Sequence, residues 1–286
     1  MFGNIIRTFR VNNGLSQTMF VDLVQTSSSH FRNLDVVTLS RWERGVTTPH
    51  FKRQNELLNL IGANIFDVHQ VGQSKKHVEE ITKKLNKSGY LNTNQFCNAQ
   101  VVTINSNNSN LINGLSELID VIFDYEENLI FHALEEAGLS RQAIITKIVN
   151  QYGGDLILVT VNGQLISHLL SSDNMLASDF LELGDISKKE QAHQIISFNC
   201  TYFPAFLNTM SKEVYKYLQS LNPDRKIYLF IDNKKMFDLF FSLGFEYRTI
   251  TRCGQSMKLM YSDANKIKSN RLWVSLISSY KGDGYE

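Results

Sequence analysis

One change of hydrophobic period constrains this chain more than any other feature. From Phe2 to about residue 67, apolar residues recur at helical spacing. From about Cys97, short apolar runs with the period of a strand alternate with helical stretches. At ~100–200 residues per domain, 286 residues accommodate both patterns as separate units. The expected layout is a helical domain over residues 1–70, a polar and partly helical linker over 71–97, an α/β domain over 98–262, and a packed C-terminal segment over 263–286. The expected fold class is all-α at the N-terminus and mixed-sheet α/β thereafter.

Composition removes several alternatives. The chain is 43% hydrophobic and 20% charged, as a soluble globular protein is. No apolar run approaches the ~18–20 residues of a membrane span. The first residues lack a signal-peptide pattern, so the expected location is the cytoplasm, at the nucleoid when DNA is bound, with no membrane partner. Cys97, Cys200 and Cys253 are widely spaced and form no Cys-x-x-Cys pair or Cys/His cluster. They read as free thiols, with neither a disulfide framework nor a metal site. The formal charge of +1 excludes a basic coat for nucleic acid. That total is uneven: residues 1–100 hold 12 Lys and Arg against 7 Asp and Glu, and residues 101–286 hold 17 against 21. The asymmetry points to a polyanion at one end.

The N-terminal helices have clear punctuation. Phe2, Ile5, Ile6 and Phe9 form one apolar stripe, and Asn13-Gly14 ends it. Ser16 caps a second helix from Gln17 that carries Phe20, Leu23 and Val24. A third helix opens at Asp35 and runs to Arg44, before Gly45. A fourth covers residues 51–61, with Leu57, Leu58, Leu60 and Ile61 facing the core.

The strings Arg7-x-x-Arg10-x-x-x-Gly14-Leu15-Ser16-Gln17 and Thr38-Leu39-Ser40-Arg41-Trp42-Glu43-Arg44-Gly45-x-x-x-Pro49 resemble the lambda-repressor-like (XRE) helix-turn-helix family, over roughly the first 65 residues. The resemblance implies that the third helix enters the major groove of double-stranded DNA. Val36, Val37 and Thr38 then lie on its first turn, with Arg41 one turn beyond. Arg41 suits a bidentate bond to guanine, and the valines suit thymine methyls. Gln17 and Ser40 are placed for phosphates, and Arg44 for a charge contact that positions without reading. One departure stands out. The turn between the two helices normally takes 3–4 residues. Here ten separate Val24 from Asp35, and this polar insertion reads as an outward loop that brings His30 and Arg32 to the surface.

The C-terminal pattern gives strands at residues 99–104, 155–161, 164–170, 193–200, 226–231, 246–251 and 257–261, with helices between them. Asn162-Gly163 joins two apolar runs as a hairpin turn. The element order, and the string from Ile227 through Asp232-Asn233-Lys234 to Leu243-Gly244-Phe245, resemble the GNAT (N-acetyltransferase) fold over roughly residues 98–262. The same comparison argues against catalysis. The segment matching the family's pyrophosphate loop, Phe203 to Ser211, has no glycine and no basic residue. Phe240 occupies the position where many members place a general-acid tyrosine, and Met236 narrows the cleft. Glu182, Asp185, His168 and His193 are the nearest candidates for a base, and none is assigned a catalytic role. Acetyl-CoA is therefore disfavoured as a cofactor. The residues expected around a ligand cleft are Phe206, Asn208, Thr209, Asn233, Phe237 and Phe240. A filled aromatic core is the other reading of the rings among them.

These readings converge on a sequence-specific transcription regulator. Its GNAT-like half would serve dimerisation, small-ligand sensing or both. A homodimer is expected because two half-sites ~34 Å apart give adequate specificity. The alternatives are an active acyltransferase targeted to DNA, and a repressor or antitoxin whose C-terminal half binds a protein.

Overall fold

The computed structural model describes residues 2–68, 79–83, 99–126, 128–174, 192–200, 203–219, 224–231, 233–252 and 255–282. It begins with helices α1 (Phe2–Asn12), α2 (Gln17–Ser27), α3 (Val36–Glu43), α4 (Phe51–Leu60) and the short α5 (Ile65–Val68). Phe2, Ile6, Phe20, Val24, Leu39, Trp42, Leu57 and Leu58 are buried together between them. The helices start where short polar side chains satisfy orphan amides: Ser16 Oγ accepts from Met19 N at 3.1 Å, and Asp35 Oδ1 accepts from Thr38 N at 2.6 Å. Gly3 is required by packing. A Cβ there would lie 2.0 Å from Trp42 O, so only glycine lets α1 rest on α3.

The insertion between α2 and α3 departs from expectation. Rather than looping outward, α2 runs on to Ser27, and a 3₁₀ turn follows over Ser29–Phe31. Phe31 and Leu34 are fully buried, so the insertion is an apolar plug with a polar rim. Burying those two side chains is worth about 1.5–3 kcal/mol each, which outweighs leaving the segment in solvent. His30 reaches Glu56 of α4 at 2.8 Å.

The second half is a seven-stranded sheet in the order β1 (Gln100–Ile104), β2 (Leu156–Val161), β3 (Gln164–Ser172), β4 (Ala192–Cys200), β5 (Lys226–Ile231), β7 (Gln255–Asp263), β6 (Glu246–Arg252). Among the described residues only the β4–β5 pair is parallel. Asn162 and Gly163, with φ of 52° and 78°, form the β2–β3 turn, as a two-residue hairpin requires. The helices between β1 and β2 are α6 (Ser116–Tyr125), α7 (Leu129–Glu136) and α8 (Arg141–Gln151). A 3₁₀ segment over Ser109–Gly114 leads into α6. After β4 come α9 (Phe203–Phe206), a π-helical turn (Leu207–Ser211) and α10 (Lys212–Leu218); α11 (Lys234–Ser242) follows β5. The chain closes with α12 (Ala264–Ser269) and α13 (Arg271–Gly282).

Strand alternation sorts the core into two layers. Leu156, Leu158, Tyr228 and Leu259 face α6–α8. Ile157, Leu169, Ile227, Leu229 and Met260 face the opposite helices. That second layer is continuous with the N-terminal helices: α4 and α5 pack on α12 and α13. The C-terminal segment is therefore the joint between the two halves. Within the former linker, the described residues 79–83 are helical, and Ile81 is buried in the same cluster.

Candidate functional site

Two places concentrate chemistry. The first is the outer side of α3. Leu39 and Trp42 turn inward, with Phe2 edge-on to Trp42 at 6.3 Å. Val37, at 59% exposure, stands outward with Arg41 and Arg44 on the same stripe. Thr38 and Ser40 are half-exposed at its sides, whereas Val36 is half-buried and packs on the core. The Asp35 cap holds the first turn. Bonds from the backbone and side chain of Thr38 keep the Asp35 carboxyl below its ordinary range.

The base of α3 is locked by ions. Arg10 donates from Nε to Glu43 Oε1 at 2.6 Å and from Nη2 to Oε2 at 2.9 Å. Gln17 Nε2 also donates to Glu43 Oε2, at 2.8 Å, and Arg10 Nη1 to Leu15 O at 2.9 Å. The amide nitrogen of Gln17 is thus committed within the protein. Burial pushes the Glu43 carboxyl up, but the bonds from Arg10 and Gln17 outweigh it, and the net shift is downward.

The second place is a cleft in the sheet. The parallel ladder stops at Ile195–Leu229, and beyond it β4 pairs with β3 alone. One carbonyl released there, Ile196 O, accepts from Asn128 Nδ2 at 2.8 Å. A cavity of about 510 Å³ opens between the diverging strands, with Phe198, Phe230, Ile231, Met236 and Met257 as its apolar walls. Asn128, Asn199, Asn233, Glu126, His168 and Ser197 also line it. His168 Nε2 lies 2.7 Å from Ser197 Oγ and 3.0 Å from Glu126 Oε1. Both partners share one ring nitrogen. A relay through the imidazole needs the acid and the hydroxyl on opposite nitrogens. As placed, the trio does not form such a relay.

The expected cleft residues divide accordingly. Asn233 lines the cavity, and its Oδ1 caps α11 by accepting from Lys235 N at 2.9 Å. Phe206 and Phe240 do not line it; both are fully buried against Trp273, at 6.3 and 6.4 Å between ring centres. Burial of so much aromatic area draws these rings into the core. Thr209 is also inside, donating to Ala205 O at 2.7 Å, and Asn208 is buried in the π turn. Phe237 packs on Tyr247, at 4.8 Å, outside the cavity. Glu126, Asn128 and Ser197 were not legible as site residues, because the short α6–α7 connection that carries the first two meets Ser197 of β4 only in the folded chain.

His193 lies elsewhere, fully buried at the start of β4. Its Nδ1 is 3.1 Å from Asp173 Oδ1, and its Nε2 is 2.9 Å from Glu213 Oε1, close enough for an ion pair but without hydrogen-bond alignment. Arg225 and Lys216 complete the cluster, at 2.8 Å from Asp173 and from Asp155. Burial opposes the imidazolium, yet the hydrogen bond to Asp173 and the adjacent Glu213 carboxylate prevail and raise the His193 pKa. Cys200 is also buried, which pushes its thiol up to about 11 and leaves it unreactive at neutral pH. Glu182, Asp185, Cys97 and Cys253 lie outside the described residues. Among those described, no group of His, Cys, Asp and Glu is arranged to hold a metal, and no helix is long and apolar enough to cross a membrane.

The sequence matches no protein-family model and no curated protein. Among solved structures, it is similar to an uncharacterized protein from Bacillus halodurans, at 14% identity and a TM-score of 0.38, covering 67% of this chain and 95% of that one.

Proposed function

We propose that this chain is a sequence-specific, DNA-binding transcription regulator. In this reading α1–α5 form a lambda-repressor-like helix-turn-helix domain. The α/β half is a GNAT-like domain without acetyl transfer that serves ligand sensing, dimerisation or both. The observation that carries it is the outer stripe of α3. Val37, Arg41 and Arg44 stand free of the core on a helix fixed by the Asp35 cap and the Arg10–Glu43 pair. A rigid helix presenting one arginine and one small apolar side chain suits base-edge readout. The cavity between β4 and β5 falls within the 300–1,000 Å³ of small-molecule sites. The test is selection of duplexes from a random library by the full chain. Recovery of a shared palindromic or repeated motif supports the reading; recovery of unrelated sequences refutes it.

A second reading, an acyltransferase carried to DNA, draws on that same cavity. Against it, the helix after β4 opens with Phe203-Pro204-Ala205-Phe206, and its next turn is buried. Backbone amides there have no glycine gap through which a diphosphate could approach. Titration of acetyl-CoA in a calorimeter is expected to give no heat at micromolar concentrations. Micromolar binding would restore the enzyme reading.

A further inference from the structure

The two halves meet along α4 and α12, which run antiparallel. The Arg271 guanidinium lies 5.5 Å over the Phe51 ring. Asn55 Nδ2 donates to Ser269 Oγ at 3.0 Å, and Asn59 Nδ2 to Asn265 Oδ1 at 3.3 Å. As numbers rise along α4 they fall along the C-terminal segment. Arg271, the first residue of α13, therefore sits at the N-terminal end of α4. That end is reached directly from α3 through the exposed stretch Gly45–Thr48.

Charge is segregated in the same place. Residues 264–282 carry Lys266, Lys268, Arg271 and Lys281 and no Asp or Glu, within a half that is otherwise acidic. Residues 44–55 carry Arg44, Lys52 and Arg53 and likewise no acid. The two acid-free stretches abut. Several of their bases are already engaged. Lys266 pairs with Glu246 at 2.7 Å, Lys268 is half-buried, and Arg53 lies over the rings of Phe31 and Trp42 at 5.1 and 5.4 Å. Arg44, Lys52 and Arg271 are exposed.

We propose that the DNA-contacting surface continues past the helix-turn-helix onto the α/β half, where Arg271 binds the phosphate backbone beside the base pairs read by α3. The inference rests on the DNA-binding reading above. Its physical basis is charge complementarity at a preorganised group. Stacking on Phe51 limits the freedom of the guanidinium, and its planar fork matches phosphate oxygens. Such a contact adds affinity and salt dependence without sequence information. It also makes the α/β half a direct participant in the complex, not a passenger on it.

The test measures binding of the full chain to two 30-base-pair duplexes, one selected by the protein and one of unrelated mixed sequence, over a series of salt concentrations. Arg271→Met keeps the apolar stem and removes the charge; Arg271→Lys keeps the charge. The expected result is that Arg271→Met lowers the slope of log K against log salt by about 1 and weakens both duplexes by the same factor. Arg271→Lys retains the slope. An unchanged slope in Arg271→Met, with wild-type binding intact and Arg41→Ala impaired, overturns the proposal alone. If the wild-type chain binds neither duplex at low salt, the DNA-binding reading falls and takes this proposal with it.

Discussion

Arg10 of α1 forks onto Glu43 at the end of α3, closing across 33 residues of sequence with contacts of 2.6 and 2.9 Å. This pair, with the packing of Leu39 and Trp42, ties α3 to its neighbours. An eight-residue helix is too short to be stable alone, so its orientation is a tertiary property. Glu43 is 5% exposed, so removing its partner leaves a nearly buried charge.

Arg10→Ala is therefore expected to destabilise the N-terminal helices by about 2–4 kcal/mol, measured by urea unfolding. Glu43→Gln in the same background should recover part of the loss, because the uncompensated charge is gone. The pH dependence follows from the lowered Glu43 pKa. Its contribution is whole above the unfolded value of about 4.3 and is lost as pH falls through the lower folded value. A double-mutant cycle with no coupling between residues 10 and 43 would refute this account.

Arg41→Ala should weaken binding to a selected duplex by about 1–3 kcal/mol and relax preference at one base pair, while thermal stability stays within error. The exposed position of Arg41 motivates the second half of the prediction. Repeating the duplex selection with the variant checks it. Retention of the full motif would remove Arg41 from the reading surface.

His193→Gln should cost about 3 kcal/mol near pH 6, because Asp173 and Glu213 lose their shared cation. The raised pKa sets the sign of the pH effect. The His193 contribution is complete below the unfolded value of about 6.5 and disappears as pH rises through the folded value. The stability gap between wild type and variant should thus narrow from pH 6 toward pH 9. A gap that is constant over that range would mean the imidazole titrates alike in the folded and unfolded protein, and a gap that widens would mean it is neutral when folded; either refutes this account.

Trp273→Ala is expected to cost about 3–5 kcal/mol, since the indole is fully buried against Phe206, Phe240 and Phe245. Because α13 packs on α5 and α12 on α4, the damage should spread across the joint. Hydrogen exchange in α4 and α5 should accelerate together with that in α13. Faster exchange confined to α13 would show that the joint does not depend on this ring.

Much of the fold was legible because the signals are local. Ser16 and Asp35 announce helix starts through their own short side chains. Asn162-Gly163 announces a hairpin through backbone conformation alone. Leu57 and Leu58 are buried as their spacing predicts, whereas Leu60, expected on the same face, is 41% exposed. The insertion after Val24 reads as a polar loop because Phe31 and Leu34 are only two apolar residues among hydroxyls, too few for a periodic signal. Their burial depends on packing with helices distant in sequence, which no local pattern reveals.

The sequence by itself determined the period of each segment, the caps, the turns and the exposed spelling of α3, since each depends on residues within a turn or two of one another. Tertiary structure alone decided the rest. Where β4 leaves β5, and hence which side chains meet in the cavity, depends on strands brought together from distant stretches. Whether Phe206 and Phe240 face a ligand or the core depended on Trp273, more than thirty residues further on, because apolar rings go wherever the most area can be buried. The acid-free stretch around Arg271 is visible in the sequence, but only the antiparallel seating of α12 on α4 places it at the N-terminal end of α4.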